Sequence, residues 1–90
     1  MKNQSATFRI YTEDTNREKI EEIISKHFEG FTIFKTDGYW RLQKEKSLII
    51  EILGESDIVA KINSLAREIK EMNNQEAVLV QKIKNNNWLV

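Results

Sequence analysis

Apolar positions recur along this chain with two alternating periods. From Ala6 to Thr12 they alternate: Phe8 and Ile10 point one way, and Thr7, Arg9 and Tyr11 the other, which is a half-buried strand. Ile20, Ile23, Ile24, His27 and Phe28 then follow at helical spacing on one face. Thr15-Asn16-Arg17-Glu18 ahead of them reads as a capping box, and Gly30 behind them as the stop. Phe31 to Lys35 returns to an extended pattern. Asp37-Gly38 is expected to interrupt it as a turn or bulge, before Tyr39-Trp40-Arg41-Leu42 resumes. Gln43 to Lys46 reads as a polar connection and Ser47 to Leu53 as a third strand, ended by Gly54. Ser56 or Asp57 is the expected cap of a second helix, whose stripe is Ile58, Ile62, Leu65, Ile69 and Met72. Asn73-Asn74 ends it, Ala77 to Ile83 forms a fourth strand, and Asn85-Asn86-Asn87 turns into an apolar tail, Trp88-Leu89-Val90.

Strand, helix, strand, strand, helix, strand is the order of an α+β, ferredoxin-like βαββαβ sandwich: a four-stranded antiparallel sheet with two helices on one face. The expectation is one domain over residues 1–90, with Val78, Val80, Leu48, Ile50, Ile52, Ile23, Ile62, Leu65 and Ile69 in the core. The strands are apolar on both sides. Leu48, Ile50 and Ile52 oppose Ile49 and Leu53, Val78 and Val80 oppose Leu79 and Ile83, and Phe31 and Ile33 oppose Phe34. Strands of that kind are usually buried on both faces. A homo-oligomer, dimer or trimer, is therefore expected, against a monomer whose outer face packs under the Trp88 tail.

Composition narrows the function. The 90 residues carry 14 basic and 14 acidic side chains, a balance that argues against general nucleic-acid binding. There is no cysteine, which excludes disulfides and thiolate metal sites. No apolar run is long enough for a signal peptide or a membrane span, so the expected partners include no membrane and the expected location is cytoplasmic. The three glycines form no phosphate loop. Strand three, Leu48-Ile49-Ile50-Glu51-Ile52, lacks the central aromatics of an RNA-recognition motif. His27, the only histidine, sits in an apolar stripe without designated partners, and the acids Glu13, Asp14, Glu18, Glu21 and Glu22 gather where a helix begins. No catalytic residue, metal ligand or cofactor is expected.

The candidate surface is the segment around Tyr39, Trp40 and Arg41, with Lys44 and Lys46 following. Aromatic faces stack on planar groups, while guanidinium and ammonium groups hold anions. Gln75 and Trp88 join the candidate set if the last strand runs beside this hairpin. The bland alternative is a scaffold hairpin with Trp40 as its packing anchor and solvated lysines.

Phe31-Thr32, Gly38-x-Trp40, Glu45-x-Ser47 before an apolar strand, and Gln75-Glu76-Ala77-Val78 resemble an uncharacterised family of small bacterial βαββαβ proteins over residues 30–80. The aromatic second strand, Tyr39 and Trp40 before a hairpin, is also similar to the divalent-ion-tolerance and PII-like proteins. That resemblance implies trimers in which long bent hairpins pair between subunits and ligands bind in the clefts. The chain departs from them in lacking their extended ligand loop and their cysteine or histidine metal ligands, so it implies no metal function. In size and composition the chain looks like phage-borne inhibitors of bacterial defence. The expected function is a non-catalytic oligomeric binding module that sequesters or senses a small anionic, nucleotide-like ligand. The alternatives are a protein-binding inhibitor or adaptor using the aromatic hairpin, and a small dimeric ferredoxin-like enzyme employing Arg9, His27 or Glu51.

Overall fold

A computed structural model describes residues 5–84, so Trp88 and the expected tail lie outside the described residues. The elements run β1 (Ser5–Glu13), α1 (Arg17–His27), β2 (Thr32–Trp40), β3 (Gln43–Glu55), α2 (Val59–Met72) and β4 (Leu79–Lys84). The four strands form one antiparallel sheet in the order β2-β3-β1-β4. This is the ferredoxin-like sandwich. The even-numbered residues of β1 and β3 (Ala6, Phe8, Ile10; Leu48, Ile50, Ile52) form one core with Ile20, Ile23 and Ile24 of α1 and Ile62, Leu65, Ala66 and Ile69 of α2. Both helices therefore cover the same face of the sheet. Seven of the nine expected core residues are buried, while Val80, on the short edge strand β4, and Val78, just before that strand begins, pack half-buried against the cluster. No helix among the described residues is long and apolar enough to cross a membrane.

The punctuation between elements differs from the sequence reading. The expected capping box does not form: the residue flanking α1 is Asn16, in the left-handed region at φ 55°. Its side-chain amide donates to Asn73 Oδ1 at 2.9 Å, and Asn73 Nδ2 donates to the Thr15 carbonyl at 3.2 Å. The loop before α1 is thus tied to the end of α2, and the helix starts after Asn16. Gly30 has no left-handed backbone, and α1 ends by running straight into extended Phe28. The second helix begins at Val59 and is flanked by Ile58 rather than by the expected Ser56 or Asp57. Asn74, at φ 52°, closes it as expected.

The largest correction concerns the hairpin. Asp37-Gly38 is neither turn nor bulge: β2 is continuous, with Asp37 opposite Lys46 and Gly38 opposite Glu45. Gly38 suits a close approach, since a Cβ there would meet Ser47 Oγ at 2.7 Å. Gln43 to Lys46, read as a connection, is the first stretch of β3. The chain reverses instead at Arg41 and Leu42, both left-handed (φ 50° and 66°), the backbone of a two-residue type I′ turn. Backbone pairing continues through residues without apolar alternation, so the hairpin projects past the helices as an arm. The molecule measures 45 × 26 × 22 Å.

Candidate functional site

Cross-strand partners share a face, so the register sorts every side chain of the arm. Ile33 lies opposite Ile50 in the core, which places Lys35, Asp37 and Tyr39 on the helix side of the sheet. Opposite them stand Leu48, Lys46 and Lys44 in turn. The other face carries Phe34, Thr36, Gly38 and Trp40, opposite Ile49, Ser47, Glu45 and Gln43.

Three lysines and a tyrosine thus gather on the helix side of the arm. Lys44 Nζ stands 3.5 Å from Asp37 Oδ2. At the arm's root an open depression of about 450 Å³ is lined by Asp14, Lys35, Thr36, Asp37 and Lys46. The β1–α1 loop forms one wall, held by the Asp14 N–H donating to the Lys46 carbonyl at 3.0 Å. The Thr12 hydroxyl donates to Gln75 Oε1, fixing the end of α2 at the same root.

Of the candidate residues, Tyr39, Lys44 and Lys46 come together on this face. Trp40 points to the opposite face. Arg41 occupies the tip, its guanidinium 5.5 Å from the Trp40 ring centre. Gln75 stays at the root beside Thr12, roughly 13–17 Å short of the aromatic pair at the strand rise per residue. Trp88 lies outside the described residues. Lys35, Asp37 and Asp14 were missed. Strict alternation carried through Asp37-Gly38 would have aligned Lys35, Asp37 and Tyr39, but the Asp-Gly pair mimics a turn. The tip is exposed: Tyr39 at 70%, Trp40 at 64%, and Leu42 completely.

The helix-free face holds a second arrangement. One cross-sheet row is Phe34, Ile49, Tyr11 and Leu79; the next is Thr32, Glu51, Arg9 and Gln81; beyond it come Leu53, Thr7 and Ile83. Arg9 Nε donates to Glu51 Oε2 at 3.0 Å, and the Tyr11 hydroxyl donates to Gln81 Oε1 at 2.9 Å. Hydrogen bonding to Glu51, then to Tyr11, raises the Arg9 pKa above its already high ordinary value, so this guanidinium stays charged. His27 is a link between helices, with Nε2 3.3 Å from Glu68 Oε2. Among the described residues no three histidine or acidic side chains cluster as a metal site would require.

No protein-family model and no curated protein sequence matches the chain. Solved structures do. The chain is similar to a Bacillus cereus protein related to NIF3 (TM-score 0.75, 10% identity), covering 97% of this chain but only 26% of that one. It is similar to Bacillus subtilis GlnK, solved as an ATP complex (TM-score 0.66, 19% identity, 92% of this chain and 84% of that one). CutA1 from Oryza sativa matches at TM-score 0.66 and 10% identity, over 98% of this chain and 85% of that one. A phage SAM lyase in complex with S-methyl-5'-thioadenosine matches at TM-score 0.61 and 16% identity, over 99% and 96%. At these identities the likeness is one of fold. The architecture is that of the PII-like and divalent-ion-tolerance proteins, and the same fold serves a phage enzyme.

Proposed function

We propose that the protein is a non-catalytic, oligomeric binding module that sequesters or senses a small anionic, nucleotide-like ligand on the helix side of its arm. The observation that carries this reading is the alignment of Lys35, Lys44, Lys46 and Tyr39 on one face, where Lys35 and Lys46 line an open depression beside Asp14 and Asp37. Ammonium groups are compact donors for phosphate oxygens, and the exposed phenol ring of Tyr39 is a stacking surface for a base. Asp37 and Asp14 limit the local positive charge, which favours one small anion over a polyanion. Structures of the same fold hold ATP and S-methyl-5'-thioadenosine, which supports adenosine-type ligands as the first to test. A copy carried by a phage would act on its host by withdrawing such a nucleotide.

The test is calorimetric titration of the purified protein with ATP, ADP, AMP and S-methyl-5'-thioadenosine. Saturable binding is expected, weakened roughly tenfold (about 1.4 kcal/mol) by each of Lys35→Ala and Lys46→Ala, and also by Tyr39→Ala. No heat of binding with any of the four at millimolar ligand would overturn the reading. The enzymatic alternative rests on Arg9, Glu51 and Tyr11 meeting on the outer face. Turnover of S-adenosylmethionine or of a nucleotide in the same samples, followed by mass spectrometry and abolished by Glu51→Gln, would replace the first reading with that one.

A further inference from the structure

The helix-free face is laid out so that it complements a copy of itself turned end for end. Its central cross-sheet row, Phe34, Ile49, Tyr11 and Leu79, is apolar, with Phe34 at 43% and Leu79 at 63% exposure. Ile49 is the middle residue of the thirteen-residue β3. Two sheets packed face to face, related by a two-fold axis along this row, would stack the row on its own copy.

The rows on either side then meet their opposites. Two residues from Tyr11 on β1 lie Arg9 in one direction and Glu13 in the other, so each Arg9 faces the partner's Glu13. Two residues from Ile49 on β3 lie Glu51 and Ser47, so each Glu51 carboxylate faces the partner's Ser47 hydroxyl. On β2 the corresponding pair is Thr32 and Thr36. Four residues out, Leu53, exposed at 59%, falls over the partner's arm, where Gly38 leaves the surface without a side chain beside Glu45. Six residues out, Glu55 falls over the partner's Gln43, next to Arg41 at the tip. No row places like charge on like charge. The Arg9–Glu51 pair is neutralised within one chain, so covering it strands no lone charge.

We infer that the outer faces of two copies pack antiparallel about the Phe34–Ile49–Tyr11–Leu79 row, forming a two-fold dimer. This deepens the oligomeric half of the proposed function and is independent of its ligand half, because the lysine face of each arm stays on the helix side, away from the contact.

The absence of cysteine makes the test clean. Stacked sheets lie about 10 Å apart, so a bismaleimide of that reach should join Ile49→Cys chains into covalent dimers. Glu55→Cys chains, whose thiols would sit roughly 40 Å apart at the strand rise per residue, should not be joined. Sedimentation at tens of micromolar protein should show a dimer, and Leu79→Asp should weaken it at least tenfold with unchanged circular dichroism. ADP titration of Leu79→Asp reads the ligand site separately, so loss of assembly and loss of ligand are told apart. A monomeric parent, a trimer, or cross-linking of Glu55→Cys as efficient as that of Ile49→Cys would each overturn the inference. So would dimerisation that appears only after residues 85–90 are removed, which would assign the face to the chain's own C-terminal residues.

Discussion

Arg41 and Leu42 both adopt a backbone that L-residues with a Cβ avoid. Type I′ turns favour Asn-Gly, and each non-glycine residue in the left-handed region costs about 1–2 kcal/mol. Leu42 recovers none of this through packing, since it is completely exposed. Replacing Arg41-Leu42 by Asn-Gly should therefore stabilise the protein by about 1 kcal/mol after the unfolded-chain entropy of glycine is counted. Calorimetry should read that as a Tm rise of about 4–8 °C for a domain of this size. An unchanged or lower Tm would show that the turn is unstrained or that its side chains contribute contacts. In the core the reasoning runs the other way. Leu65 has no exposed surface, and Leu65→Ala should cost about 2–5 kcal/mol in a denaturant titration. The two sites differ in legibility for a physical reason. Leu65 sits in a 3.6-residue stripe whose spacing is visible in the chain. Arg and Leu carry no turn chemistry, so the reversal at 41–42 is invisible in the chain: the polar stretch Gln43 to Lys46 reads as the connection, and Asp37-Gly38, which do carry turn chemistry, read as an interruption of the strand.

At the scale of elements, β1, α1, β3 and α2 were legible because burial on one face imposes a period. The arm was not, because past the helices neither face is buried against the chain's own core and the period fades. Backbone hydrogen bonds and cross-strand pairs hold that stretch together instead: Tyr39 with Lys44, Asp37 with Lys46. Register, the only thing that assigns Tyr39 and the lysines to one side and Trp40 to the other, cannot be read without knowing where the turn lies. An arm outside the core should also be dispensable for folding. Replacing Tyr39 through Lys44 by a two-residue Asn-Gly turn between the hydrogen-bonded pair Gly38 and Glu45 leaves every buried core residue in place. The shortened protein should melt within a few degrees of the parent while losing ADP binding, because Tyr39 and Lys44 are gone. Retained binding in a calorimetric titration would move the ligand site to the root alone, and a collapse of the melting transition would make the arm part of the folding unit.

For the whole molecule, a neutral chain of 14 basic and 14 acidic residues still separates its chemistry by face. One side of the sheet holds the helices and, beyond them on the arm, Lys35, Tyr39, Lys44 and Lys46; the other holds the apolar row and the Arg9–Glu51 belt. The charge count made the chain look featureless, because the segregation exists only after strand alternation sends neighbours in sequence to opposite sides. If the faces carry separate tasks, damage to them should be separable. Lys35→Glu with Lys46→Glu introduces like charge where an anion is expected to sit, and should abolish ADP binding while the sedimentation coefficient stays that of the parent. Leu53→Asp, on the exposed outer face, should do the reverse: weaker assembly, ligand affinity within about twofold, and little change in stability, as expected for a surface substitution that breaks no buried contact. Measured on both variants and on their combination, the two losses should add, since sites that share no partner contribute independently. If the lysine variant also dissociated the assembly, or Leu53→Asp also lost ADP, the ligand would lie between subunits rather than on one arm, as the resemblance to PII-like proteins implies.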